Sequence, residues 1–152
     1  MKAFRTMLLV DDSENDLFLL ETALEQAEFG CKIKKVYDGR EAIAYLAGEG
    51  KYGNRMEYPI PAGVLLDLNM PQPNGFEVLS WVRTQPELQK ISFIILTASL
   101  RIQDVEQASK LGAHSYLIKP ASLRELVSML RSLREWLKIN QCPPGNLWVS
   151  GP

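Results

Sequence analysis

Five short runs rich in Val, Ile and Leu, each parted from the next by a segment of helical period, leave this chain few architectures. The runs are 7–10 (MLLV), 33–37 (IKKVY), 64–66 (VLL), 91–96 (ISFIIL) and 115–118 (SYLI). Their length and polar borders predict strands. Helical spacing links Leu17, Leu20, Leu24 and Ala27, then Ala42, Ile43 and Leu46, then Phe76, Leu79 and Val82, then Val105, Ala108 and Leu111. A fifth and longest such segment runs from Ser122 to Lys138. Parallel strands need crossover connections, so this alternation predicts an α/β fold, a doubly wound five-stranded parallel sheet with helices on both faces. Ser13 with Asp16 resembles a capping pair, and Gly30 and Gly112 stand where helices should stop.

A length of 152 residues suits one domain with a real core. Seventeen Lys and Arg against eighteen Asp and Glu, with 46% apolar residues, fit a soluble globular protein and argue against a nucleic-acid arm. Arg124, Arg131, Arg134 and Lys138 read as the solvated face of the last helix. The four-residue apolar run before Asp11 is too short for a signal peptide or a membrane span, so a cytoplasmic location is expected. Cys31 and Cys142 lack CxxC or His partners and are expected as free thiols. Two segments exceed a minimal five-unit design: a long connection over 47–63 and a Pro- and Gly-rich end. The domain is expected over 1–140, with a tail over 141–152.

Acids stand at the strand ends, where open α/β sheets bind their ligands. Asp11 and Asp12 follow the first strand and Asp67 follows the third. If the strand order is 2-1-3-4-5, the first and third strands are neighbours and the three carboxylates converge. Such a cluster would repel itself at neutral pH unless a cation joined it, and an all-oxygen donor set favours a hard ion such as Mg²⁺. Thr97 and Lys119, at the ends of the fourth and fifth strands, add a hydroxyl and a compact positive charge. A carboxylate nucleophile with a metal, a hydroxyl and an ammonium suits phosphoryl transfer.

Together and in this order, LLVDD, LLDLNMPQPNG, ILTAS and YLIKP resemble the response-regulator receiver domain of two-component signalling, over residues 5–138. The resemblance implies the flavodoxin-like fold with strand order 2-1-3-4-5. It makes Asp67 the phosphoacceptor for a sensor histidine kinase. Asp12 and Asp67 would be side-chain ligands of Mg²⁺, Asn69 a ligand through its backbone carbonyl, and Asp11 a ligand through water. Thr97, Ala98 and Lys119 would contact the phosphoryl group, Thr97 and Tyr116 would form the switch, and the peptide bond before Pro120 would be cis. Pro71 and Gly75 match the loop after the acceptor, while Asn69 and Ser99 occupy positions that tune dephosphorylation. More narrowly, the long connection and DGREAIAYL, TQPELQKI, LGAHSYLIKP and REWL resemble regulators paired with bacterial and cyanobacterial phytochromes.

The expected function is therefore signalling by a phosphorylated receiver whose interaction face changes, with self-phosphorylation and autodephosphorylation its sole chemistry. Regulators of this subgroup pair through the face of the fourth helix, fifth strand and fifth helix. On the fifth helix, apolar residues cover about half the circumference, more than the roughly 100° a core requires. Met129, Leu133 and Trp136 are candidates for a homodimer patch, favoured here over packing beneath Leu147, Trp148 and Val149 of the tail. No nucleic acid or membrane partner is expected. His114, the sole histidine, falls in a turn, so the phosphate donor must be another protein. Two alternatives remain: a pseudo-receiver that pairs without phosphate, and a haloacid-dehalogenase-type phosphohydrolase. The latter is disfavoured because Asn69 stands where its second carboxylate should be.

Overall fold

The computed structural model describes residues 6–140. It contains β1 (Thr6–Val10), α1 (Glu14–Gln26), β2 (Lys32–Val36), α2 (Gly39–Ala47), β3 (Gly63–Leu66), α3 (Gly75–Arg83), β4 (Ser92–Thr97), α4 (Ile102–Lys110), β5 (Ser115–Ile118) and α5 (Leu123–Asn140). All pairings are parallel and the order is β2-β1-β3-β4-β5, as expected. Residues 141–152, with Cys142 and the apolar tail residues, lie outside the described residues.

Strand side chains alternate between two cores, which is why the strands read as continuous apolar runs. Leu8, Val10, Val64, Leu66 and Ile95 join α2 and α3 residues on one face. Met7, Leu9, Leu65, Ile94 and Leu117 join Leu17, Leu20 and Leu24 of α1 and Leu130 and Leu133 of α5 on the other. Helix starts carry their own signals. Ser13 accepts a hydrogen bond from the Asp16 N–H at the head of α1, and Asn74 and Glu77 form a reciprocal capping box on α3.

The wide apolar sector of α5 has a different cause from the one expected. Met129 and Leu133 are 3% and 1% exposed and Trp136 packs partly buried on the same core, so Met129 and Leu133 are not a dimer surface. The sector is wide because α5 meets both the sheet and α1. The arginines of α5 are not simply solvated either. Arg134 donates to the carbonyls of Ala27 and Glu28, and Arg131 to that of Gln26. α1 has no basic residue in its last turn, so α5 supplies the positive groups its C-terminal carbonyls require.

The long connection folds against α2. Gly48, at φ 73°, ends that helix in a left-handed cap. Arg55 then reaches back and donates to the carbonyls of Tyr45 (2.8 Å) and Leu46 (3.0 Å). Tyr45, Tyr52 and Tyr58 pack as a cluster with ring centroids 5.0–5.8 Å apart, Tyr58 edge-on to the other two, which anchors the segment to the core.

His114 has a structural task at the entry to β5. Its backbone N–H donates to the Phe93 carbonyl at 2.7 Å, and its Nδ1 accepts the Phe93 N–H at 3.0 Å. Burial holds the imidazole below its usual 6.5. As pH falls, the unfolded chain therefore takes up this proton first. The stability from His114 is complete above about 6.5 and is lost as pH drops through the lowered value. Denaturation midpoints of wild type should accordingly fall more between pH 7 and pH 5 than those of His114→Gln, and parallel curves would contradict this.

Candidate functional site

The register of the strands brings the expected residues to one end of the sheet. Asp67 continues β3, and its N–H donates to the Val10 carbonyl at 3.0 Å, which sets it beside Asp11 and Asp12. Lys119 continues β5, its N–H donating to the Thr97 carbonyl at 2.8 Å. Asp11 and Asp67 are buried, Asp12 is exposed, and the three offer ligand atoms within 4.8 Å of one another.

One ammonium reaches the two buried carboxylates of this cluster and a third acid on α1. Lys119 Nζ donates to Asp11 at 2.7 Å, to Asp16 at 2.8 Å and to Asp67 at 3.2 Å. Burial works against the lysine charge, but the hydrogen bonds to Asp11 and Asp16 and the charge of Asp67 outweigh it and raise its pKa above 10.5. Burial pushes the Asp11 carboxyl up from 3.8, against the lowering effect of Lys119 and of the Ser13 N–H that it accepts. Asp67 also accepts the Asn69 N–H at 3.2 Å, which bends the chain out of β3.

Beyond the carboxylates, Thr97 Oγ1 accepts from the Asn69 side-chain amide at 3.4 Å, so the hydroxyl lies on the acceptor loop. Ala98 is exposed and Ser99 half-buried at the mouth. Tyr116 is 2% exposed and donates to the Ser99 carbonyl at 3.1 Å. The Tyr116 ring is thus turned inward, its hydroxyl held against the loop after β4.

Gly75 packs the head of α3 directly under the acceptor. A Cβ there would lie 2.5 Å from the Asp67 carbonyl oxygen and 2.7 Å from Leu68 Cα. In one respect the expectation fails: the cis peptide bond among the described residues is Gln72–Pro73, and Lys119–Pro120 is not cis. Each X–Pro bond prefers trans only weakly, so local surroundings decide the isomer, and these were not legible at Pro120. The sequence reading also overlooked Asp16 as a site residue. It appears there as half of a capping pair, and it is the reach of Lys119 Nζ to the first turn of α1 that brings its carboxylate into the site.

The arrangement offers a buried carboxylate nucleophile beside a fixed cation, with a three-carboxylate set suited to a divalent metal. The response regulator receiver domain family model matches residues 7–131. The chain is 33% identical to the response regulator Rcp1 of Synechocystis over 140 residues, 91% of this chain and 93% of that protein. It is 36% identical over 139 residues to a probable methanogenesis regulatory protein, FilR2, of Methanothrix harundinacea, covering 90% of this chain and 86% of the relative. The phosphorylated cyanobacterial phytochrome response regulator RcpA superposes with a TM-score of 0.82 at 33% identity, over 93% of this chain and 99% of that one. Mn²⁺-bound Rcp1 superposes at 0.76 with 31% identity, over 94% and 98%.

Proposed function

The chain belongs to the response regulator receiver family, and on that premise we propose that Asp67 is its phosphoacceptor and a phosphohistidine of a sensor kinase its donor. The observation that carries this reading is the Lys119 ammonium 3.2 Å from a buried strand-end carboxylate. Receiver regulators are signalling proteins, and the reaction is a single group transfer. An Asp67 Oδ attacks phosphorus, the new P–O bond forms as the P–N bond to the donor imidazole breaks, and the ring, carrying a proton taken from solvent on its other nitrogen, leaves as neutral imidazole. Lys119 neutralises charge on the phosphoryl oxygens, and the Thr97 hydroxyl donates to one of them.

Receiver domains bind a divalent metal, and the residues present fit one. Asp12 and Asp67, the Asn69 carbonyl, and Asp11 through water would hold Mg²⁺, chosen because every donor is oxygen. When bound, it supplies neutralising charge on the transferred group.

The output follows from Thr97 and Tyr116. A phosphoryl group that draws the Thr97 hydroxyl away from Asn69 favours the buried Tyr116 ring already present, a population shift that alters the face of α4, β5 and α5. Copies pairing through that face would use Leu100 and Ile102, 75% and 71% exposed, in place of Met129 and Leu133. Similarity to RcpA and Rcp1 supports a phytochrome-type kinase as partner, in the cytoplasm. No described helix is long and apolar enough to cross a membrane.

Incubation with acetyl phosphate tests the chemistry. Intact mass should show one added phosphoryl group with Mg²⁺, and little or none without it. No gain from acetyl phosphate or from a phosphorylated kinase would leave the chain a pairing module that works without phosphate.

A further inference from the structure

Asp16 is the one group on Lys119 for which the proposed transfer has no use. Its carboxylate, 40% exposed at the first turn of α1, takes one N–H of an ammonium that has only three to give. The other two go to Asp11 and Asp67, and the ammonium sits nearer to Asp11 and Asp16, at 2.7 and 2.8 Å, than to Asp67 at 3.2 Å. A phosphoryl group on Asp67 adds three strong acceptor oxygens just beyond that carboxylate. To serve them, Lys119 must surrender a partner. Asp16 is the cheapest to release, because its carboxylate regains water, whereas the Asp11 and Asp67 side chains are buried, 5% and 8% exposed against 40% for that of Asp16.

We propose that Asp16 is a displaceable counter-anion for Lys119, a positioning residue that draws the ammonium off the acceptor until a phosphoryl group takes its place. The inference rests on Asp67 as acceptor and deepens that reading. Asp16 thereby sets how favourable phosphorylation is. Its charge also repels an incoming phosphoryl group, so the two effects of removing it have the same sign. The cap of α1 is unaffected by its side chain, because the link to Ser13 is made by the Asp16 backbone N–H.

Titration with trifluoroberyllate, a mimic of the phosphoryl group, in the presence of Mg²⁺ tests this on wild type, Asp16→Asn and Asp16→Glu. Asp16→Asn should bind the mimic about two- to fivefold more tightly, the scale of one partly exposed ion pair. Asp16→Glu, which keeps the charge on an arm able to reach the same ammonium, should bind as wild type. In metal-free protein, the Lys119 Nζ protons should exchange with water faster in Asp16→Asn than in wild type. Binding by wild type with unchanged or weaker binding by Asp16→Asn, unchanged Nζ exchange, or Asp16→Glu behaving like Asp16→Asn would each overturn the role of Asp16 and leave Asp67 as acceptor intact. A wild type that does not bind the mimic would remove both.

Discussion

Lys119→Met is expected to destabilise the metal-free protein by about 2–4 kcal/mol, and to lose most of that penalty when a divalent cation is added. Met keeps the apolar stem of the lysine and deletes its charge. Asp11 and Asp67 are 4% and 6% exposed, and both would then face each other in the buried end of the sheet without a cation. Asp16 can turn to water, but the other two cannot. Removing one partner of a buried ion pair is costly because the partner left behind is unsolvated, which makes the loss larger than the net worth of the pair. A cation held by Asp11, Asp12 and Asp67 replaces the missing charge. Urea unfolding in chelator and in Mg²⁺ reads both effects, and equal losses in the two conditions would show that Lys119 does not balance the metal site. Phosphoryl uptake by this variant should fall even with Mg²⁺ present, because no ammonium remains for the transferred group.

Gly75→Ala should combine a stability cost of about 1–3 kcal/mol with roughly hundredfold slower phosphoryl uptake. The added Cβ would meet the backbone of the acceptor loop at one peptide unit, 2.5 Å from the Asp67 carbonyl oxygen and 2.7 Å from Leu68 Cα, where no side-chain rotation relieves the contact. Either α3 lifts from the sheet or the acceptor loop moves. The capping box of Asn74 and Glu77 fixes the head of α3, so the strain reaches Asp67. Rates with acetyl phosphate at saturating Mg²⁺, beside unfolding midpoints, separate the two effects. A variant of wild-type rate and stability would show that this close approach does not position the acceptor.

What the sequence disclosed follows from where the chemistry is local. Strand runs, crossovers and the capping pair at Ser13 are written in neighbouring residues, and with the parallel order they bring Asp11, Asp12 and Asp67 together. Lys119 and Thr97 were legible because each ends a strand. Asp16 was not, because an acid in the first turn of a helix is already explained by the cap and the helix dipole. Only the reach of Lys119 across the sheet brings the Asp16 carboxylate into the site. The same limit hid the neighbours of α5. A wide apolar sector records how much surface is covered, and Met129 and Leu133 turned out to be covered by α1 and the sheet within one copy. The isomer before Pro120 and the inward ring of Tyr116 depend on packing between loops, which no local pattern encodes.

On the proposed chemistry, Asp67 alone receives the phosphoryl group. The most direct measurement is to phosphorylate the protein with acetyl phosphate and Mg²⁺, reduce the acyl phosphate with borohydride, and locate the resulting homoserine by peptide mass spectrometry. Homoserine is expected at position 67, and none in Asp67→Asn. Homoserine at Asp11, Asp12 or Asp16 in the wild-type protein would contradict it.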